Sequence, residues 1–287
     1  MPRKRRIDEL PGTVQSRSVI ELCYESINRS PFIEEQNADL PAQITGAAAA
    51  GFTCIGLDAP SLSQHCEQGG SLEELARTLD ALGLRCFEIQ PLVVGDDPRK
   101  NQEQAELIAG MVEILRPDWV QSGFTGAPDA ESLAAFRQAG EIIGQAGAGL
   151  AVEYLPFLPL CSIETTRELL NRAEVEGAGI VVDTWHFFFG PDRWEDLEAL
   201  PLNELAYVQF DDHPPLVGED LMEETTQRRV LPGQGTFDLS RFCDVVLAKG
   251  YTSPVSVEIL SESLRTLEPS EFARLVYDAT RPFWPGD

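Results

Sequence analysis

The chain is short of positive charge. Its 22 lysines and arginines stand against 47 aspartates and glutamates, a formal net charge of −25. Such a surface repels phosphate backbones, which argues against nucleic acid as a partner. Histidine is scarce too, with His65, His186 and His213 the full set. The six cysteines are scattered with no CxxC pair, so a zinc–thiolate site is not indicated. Unpaired thiols in a chain of 287 residues fit a reducing compartment, and a cytoplasmic location is expected. No apolar run reaches the roughly 18 residues of a membrane span, so no membrane partner is expected. The opening MPRKRRIDEL is basic but lacks the apolar stretch of a signal peptide. Residues 1–18 are read as a short disordered tail before one domain over 19–287.

What is present is a rhythm: a short apolar run, a polar loop, then an amphipathic stretch. Strand-like runs fall at 19–24, 53–58, 84–90, 119–123, 149–154, 179–183, 205–211 and 254–258. The stretches between them carry helix signals. SLEELARTLDALG opens on Ser71, places Glu74 three residues on as in a capping box, and closes on Gly83. Strands alternating with helices imply parallel pairing through right-handed crossovers. Eight such units in 287 residues match the size of a single (β/α)8 TIM barrel. An open doubly wound sheet would carry a glycine-rich phosphate turn after its first strand. The residues after Tyr24 read ESINRSPFIEE instead. One segment breaks the rhythm. Residues 212–237 form a long connection after the seventh strand, of the kind that covers a site.

A barrel builds its site where strands end. The fifth strand, GLAVEYLPF, delivers Glu153. The sixth, GIVVDTWHF, delivers Asp183 with Trp185 and His186 just beyond. The seventh, LAYVQFDDH, delivers Gln209, Asp211 and His213, and the eighth, PVSVEIL, delivers Glu258. Acids and amides inside such apolar runs are costly to bury unless paired or bound to metal. Each alone reads more readily as a loop cap or ion-pair partner; four on consecutive strands point to a site. Glu153, Asp183, Gln209 and Glu258 offer a hard, mostly anionic oxygen cage. That donor set favours Mn²⁺ or Mg²⁺, with Zn²⁺ or Co²⁺ as alternatives. For His65 and His213 a solvated loop is the expected setting.

The stretch VVDTWHFFFG, with VEYLPF before it and YVQFDD, RVLPGQG and SVEIL after it, resembles the sugar phosphate isomerase/epimerase group of the xylose-isomerase-like TIM barrels. The likeness runs from about Val19 to the end of the chain. It implies a divalent metal on Glu153, Asp183, Gln209 and Glu258, with His186 beside it on substrate or a bound water. Many relatives carry histidine where Gln209 stands, which leaves the metal open. Glu153 and Glu258 match the family's proton-transferring carboxylates. Arg229, in RVLPGQG, matches an arginine that binds substrate; an exposed loop arginine is the competing reading. Trp185 is expected beside the substrate.

The implied activity is isomerisation or epimerisation of a small sugar-like or polyol-derived hydroxy-carbonyl compound by proton transfer through an enediolate. The rival is a dehydratase of inosose or 3-dehydroshikimate type. Those dehydroshikimate enzymes use a glutamine ligand but place a histidine two residues after the first glutamate, where this chain has Leu155. A related DNA-repair nuclease would need several histidine ligands and a cationic face. A non-catalytic binding barrel would show a missing ligand, yet all four positions hold oxygen donors. Basic residues near the strand ends are sparse, which favours an unphosphorylated substrate. A homo-oligomer is compatible with all of this.

Overall fold

A computed structural model describes residues 19–286; the basic segment 1–18 lies outside the described residues. Eight strands form: β1 (Leu22–Glu25), β2 (Cys54–Asp58), β3 (Arg85–Val94), β4 (Trp119–Phe124), β5 (Gly149–Glu153), β6 (Gly179–Asp183), β7 (Leu205–Gln209) and β8 (Val255–Val257). They close in chain order into a parallel barrel, with β8 pairing back onto β1. That closure removes the open-sheet alternative, and the chain is a (β/α)8 TIM barrel.

Twelve α-helices lie among the described residues. The first six are α1 (Leu40–Ala50), α2 (Ala59–Glu67), α3 (Leu72–Leu82), α4 (Pro98–Leu115), α5 (Ala130–Ala146) and α6 (Ile163–Ala173). The second six are α7 (Thr184–Phe189), α8 (Trp194–Ala199), α9 (Leu221–Gln227), α10 (Leu239–Ala248), α11 (Glu262–Arg265) and α12 (Pro269–Thr280). Their ends follow local chemistry. The Asp39 side chain accepts the Ala42 amide, Pro41 sits in the first turn of α1, and Gly51 closes the helix at φ 105°. Ser71 accepts the Glu74 amide as expected. The reciprocal half of that box is replaced, because the Ser71 hydroxyl donates to Glu73. No helix among the described residues is long and apolar enough to cross a membrane. All six cysteines are free thiols.

The strands are buried on both faces, so their alternation sorts side chains between two cores. Leu22, Tyr24, Val152, Val182 and Val208 join the large layer between barrel and helices. Cys23, Ala151, Val181 and Tyr207 form the small cluster inside the barrel. Two residues further along the same faces stand Glu25, Glu153, Asp183 and Gln209. The same period that fills the interior therefore aims these polar groups into the mouth. On β3 the pairing to β2 shifts register, Ile55 facing Cys86 and Gly56 facing Glu88. The extra residue lets both Phe87, packed on Tyr207, and Glu88, bonded to the Tyr207 hydroxyl, face inward.

The long connection after β7 is built rather than open. It contains α9 and is fastened by Asp212. One Asp212 oxygen accepts the Gly233 and Gly235 amides, both at 2.9 Å, and the other accepts those of His213 and Phe237. His213 is buried, not solvated. Its ring nitrogens lie 2.6 Å from the Pro214 carbonyl and 3.2 Å from that of Glu224. Arg265 ties this connection to the loop after β1 through the Asn28 and Thr226 carbonyls.

Candidate active site

The four expected donors converge at the barrel mouth. Asp183 and Gln209 are adjacent across β6 and β7. The Gln209 side-chain amide donates to Glu258 Oε1 at 3.2 Å, leaving its own Oε1 buried without a partner. Glu153, Asp183 and His186 each bring one ligand-capable atom within 4.8 Å of the others. Donors sharing one ion at roughly 2.1–2.4 Å lie no further apart than about 4.8 Å. His186 opens on Asp183, whose Oδ1 caps the short helix α7 by accepting the His186 amide at 3.0 Å. The His186 Nε2 stands 3.3 Å from Glu153 Oε1. Its Nδ1 is buried without a partner.

Arg229 takes an unexpected position. It is not an exposed loop residue but 1% exposed, at the centre of the acids. Its Nη1 lies 2.8 Å from Asp183 Oδ2, 2.6 Å from Asp211 Oδ2 and 3.0 Å from Glu258 Oε2. Its Nε and Nη2 donate to the Thr225 carbonyl and hydroxyl. The guanidinium therefore holds the acids together while it borders the cavity.

One guanidinium does not neutralise this set. Burial alone would raise Asp183, but Arg229 and His186 outweigh it and hold the carboxyl below its ordinary value. Asp211 is pushed well up by burial, beyond what Arg229 offsets, and by the charges of Asp183 and Glu258. Burial likewise lifts Glu258; Arg229 pulls it down, the acids Glu153, Asp183 and Glu88 push it up, and it settles at about 8. Acids forced to hold protons near neutrality mark a place where a further cation is welcome. The orphaned Gln209 oxygen and the spacing of Glu153, Asp183 and His186 point the same way. The residues fit a divalent ion.

Trp185 is fully buried and is not on the cavity wall. It packs edge-on to His186, with ring centroids 5.4 Å apart, and also contacts His213 and Phe189. His65 lies on α2, away from the mouth.

The structure adds residues that attention to the last four strands missed. Gln121 on β4 donates to Glu153 Oε2 at 2.7 Å. Gln90 on β3 donates to Glu258 at 3.2 Å and to Glu25 at 2.6 Å. Glu25 and Glu88 are buried beneath them. The available signal was the same one used for Glu153: a polar residue inside an apolar run. A cavity of about 190 Å³ opens above this floor, lined by Gln90, Gln121, Glu153, His186, Arg229 and Glu258 and walled by apolar side chains. Met222 and Thr225 from the long connection line it too, so that segment does cover the site.

Comparison with known proteins agrees with the barrel. A family model described as xylose isomerase-like TIM barrel matches residues 44–275, and the chain belongs to that family. Over 237 residues it is 28% identical to a 3-dehydroshikimate dehydratase of Pseudomonas aeruginosa, an overlap of 79% of this chain and 37% of that one. Over 143 residues it is 27% identical to an inosose isomerase of Halalkalibacterium halodurans, covering 49% of each. The chain thus spans little more than a third of the dehydratase and about half of the isomerase. Among solved structures, an IOLI protein with a bound zinc atom superposes with a TM-score of 0.80 at 18% identity, over 92% of this chain and 98% of that one. An L-ribulose 3-epimerase gives 0.67 at 16% identity, over 90% and 92%. At these identities the structural likeness is one of fold.

Proposed function

We propose that this xylose isomerase-like barrel is a divalent-metal-dependent isomerase or epimerase of a small hydroxy-carbonyl compound. The observation that carries the reading is that Glu153, Asp183, Gln209 and Glu258 stand together at the barrel mouth, with Gln209 Oε1 buried and unpartnered. Those four residues would hold the metal; Mn²⁺ or Mg²⁺ suits their oxygens best. A bound divalent ion polarises a carbonyl and acidifies the neighbouring C–H.

The protein's own groups then move the proton. Glu153 is the most accessible of the acids, with its side chain 14% exposed, and accepts hydrogen bonds only through neutral or imidazole donors. It suits the base that takes the proton from carbon. Glu258, which lines the same cavity, suits the second carboxylate of the pair, the one through which a proton is returned. Return to the opposite face of the same carbon gives an epimer, and return to the neighbouring carbon gives an isomer. His186 is placed to hydrogen-bond a substrate hydroxyl, with Trp185 packed against its ring as a positioning residue. Arg229 keeps Asp183, Asp211 and Glu258 in register.

The likeness to a 3-dehydroshikimate dehydratase favours a second reading, loss of water from the same enediolate. Against it, Leu155 stands where the resemblance puts the dehydratases' histidine and presents an apolar side chain to the cavity. The test is proton NMR in D2O with Mn²⁺ over ketoses, inososes and cyclic hydroxy-ketones. Metal-dependent deuterium entry beside the carbonyl, lost in Glu153→Gln, is expected. Elimination without exchange into recovered substrate supports the dehydratase, and inertness across the panel overturns both.

A further inference from the structure

The cavity has two unlike halves. Its floor is polar, but its walls come from four separate loops and strand ends and are almost wholly hydrocarbon. Ile27 and Ile33 follow β1, Val93 and Phe124 end β3 and β4, and Leu155 and Leu158 follow β5. The rim continues the theme: Phe32 is 57% exposed and Met222, across the mouth on α9, is 50% exposed. Exposed apolar side chains at a cavity rim are poor packing for a monomer surface but good contact for an apolar ligand.

The charge distribution excludes another class of ligand. Glu153 and Glu258 are the acids on the floor, with Glu25, Glu88, Asp183 and Asp211 buried behind it. Among the described residues Arg229 is the only lysine or arginine on the lining, and its Nη1 already contacts three carboxylates. A phosphate or carboxylate on the substrate would find no free cationic side chain on the lining and hydrocarbon at the sides. A fully hydroxylated ring fares little better. Each hydroxyl turned towards Leu155, Phe124 or Ile33 loses its water without gaining a partner, a loss of about tenfold or more in affinity. A methylene in the same place gains about fourfold.

We propose that the substrate is an uncharged, partly deoxygenated hydroxy-ketone of compact size. One edge carries the neighbouring carbonyl and hydroxyl, which face Glu153, His186 and Glu258; the other edge is plain carbon against the apolar wall. This rests on the proton-transfer reading for the chemistry, but the shape and polarity of the binding preference come from the cavity itself.

The Mn²⁺-loaded full chain is titrated calorimetrically with 2-hydroxycyclohexanone, a fully hydroxylated inosose, a ketohexose 6-phosphate and 3-dehydroshikimate. Deuterium entry beside each carbonyl is followed in parallel. The cyclohexanone binds at least tenfold more tightly than the inosose, and the two anions bind more weakly still. Leu155→Asn, which adds a partner for hydroxyls on the wall, narrows the cyclohexanone–inosose gap about tenfold. Equal or tighter binding of the inosose or either anion overturns the inference, as does failure of the cyclohexanone to bind. If the binding order holds and no compound exchanges, the proton-transfer reading falls and the substrate class stands. If exchange is fastest with the inosose or an anion, the reverse is true.

Discussion

Arg229 and Asp183 form an ion pair of 2.8 Å in which neither side chain is more than 1% exposed. Burying a guanidinium costs several kcal/mol, so it persists only where the surrounding charges hold it. Asp211 and Glu258 supply the rest of that hold. The reverse dependence is as strong, because without Arg229 the acids at the mouth lose their one covalently attached cation. Arg229 is thus part of the framework of the site as well as its border.

Arg229→Met tests this. An arginine on a solvent-exposed lid could be replaced with the melting temperature nearly unchanged. A buried one leaves three carboxylates uncompensated, a loss of roughly 3–5 kcal/mol. In metal-free protein the melting temperature should drop by several degrees, and excess Mn²⁺ should recover part of the drop by supplying the missing positive charge. A melting temperature within about 1 °C of the parent would show that the acids need no counter-ion.

The barrel interior yields a pH prediction. Burial first, and then the neighbouring carboxylates, raise Glu25 well above its ordinary value; burial raises Glu88 as well. A folded-state pKa above the unfolded one means the contribution is fully present below about pH 4.5 and is lost as pH rises through the folded value. Glu25→Gln keeps the shape and removes the titration. Ser256 can still donate to its carbonyl, while the amide nitrogen replaces the oxygen that accepts from Gln90, a loss that is the same at every pH. The melting temperature of the variant should therefore rise relative to that of the parent between pH 5 and pH 8. A difference that does not change with pH would mean Glu25 is not the titrating group.

Much of the barrel was legible because parallel strands buried on both faces read as short apolar runs, and those of β2, β3, β5, β6 and β8 each follow a left-handed glycine. Glu153, Asp183 and Glu258 were legible for the same reason: a carboxylate inside such a run stands out. Glu25 and Glu88 sit in comparable runs, LCYE and RCFEIQ. Their significance depends on barrel closure, which brings β8 beside β1 and lets Ser256 reach Glu25. No local pattern encodes that contact between residues 231 positions apart. The inward setting of Glu88 beside Phe87 depends on a register shift, equally invisible in sequence. For Arg229 the acid-rich segment leaves an exposed position open beside the substrate-binding one; the acids that bury it come from β6 and from the ends of β7 and β8. Trp185 was expected beside substrate, yet α7 turns it behind His186.

The connection after β7 hangs on Asp212, and Gly235 is where that hold is tightest. A Cβ on Gly235 would lie 2.1 Å from Asp212 Oδ1 and 2.5 Å from the His213 amide nitrogen. Neither can move without releasing the amides of Gly233, Gly235 and Phe237. Gly235→Ala should therefore loosen residues 212–237, lower the melting temperature and speed proteolytic cleavage within that segment. Because the same segment carries Arg229 and part of the cavity wall, turnover should fall with it. Unchanged cleavage in limited proteolysis would show that the segment is held elsewhere.

The last prediction separates Asp183 from His186, three residues apart on one turn. Asp183 ends a buried strand and aims a carboxylate at the mouth, where its Oδ1 holds the His186 amide and its Oδ2 meets Arg229. Asp183→Ala removes an anion from the proposed metal cage, uncaps α7 and strips a partner from Arg229. Metal binding and activity should both vanish. The His186 imidazole is a near neighbour of Glu153, and its Nδ1 has no partner, so its geometry permits either ligation or contact with substrate. If the oxygens of Glu153, Asp183, Gln209 and Glu258 hold the metal, as proposed, the imidazole is left free for substrate. His186→Ala should accordingly keep the metal and lose roughly 10²–10⁴-fold in turnover, the range of a positioned acid–base group. Metal content by elemental analysis, read beside the rate for each variant, decides it. Loss of metal as complete as in Asp183→Ala would make His186 a ligand, and full activity would reduce it to packing beneath Trp185.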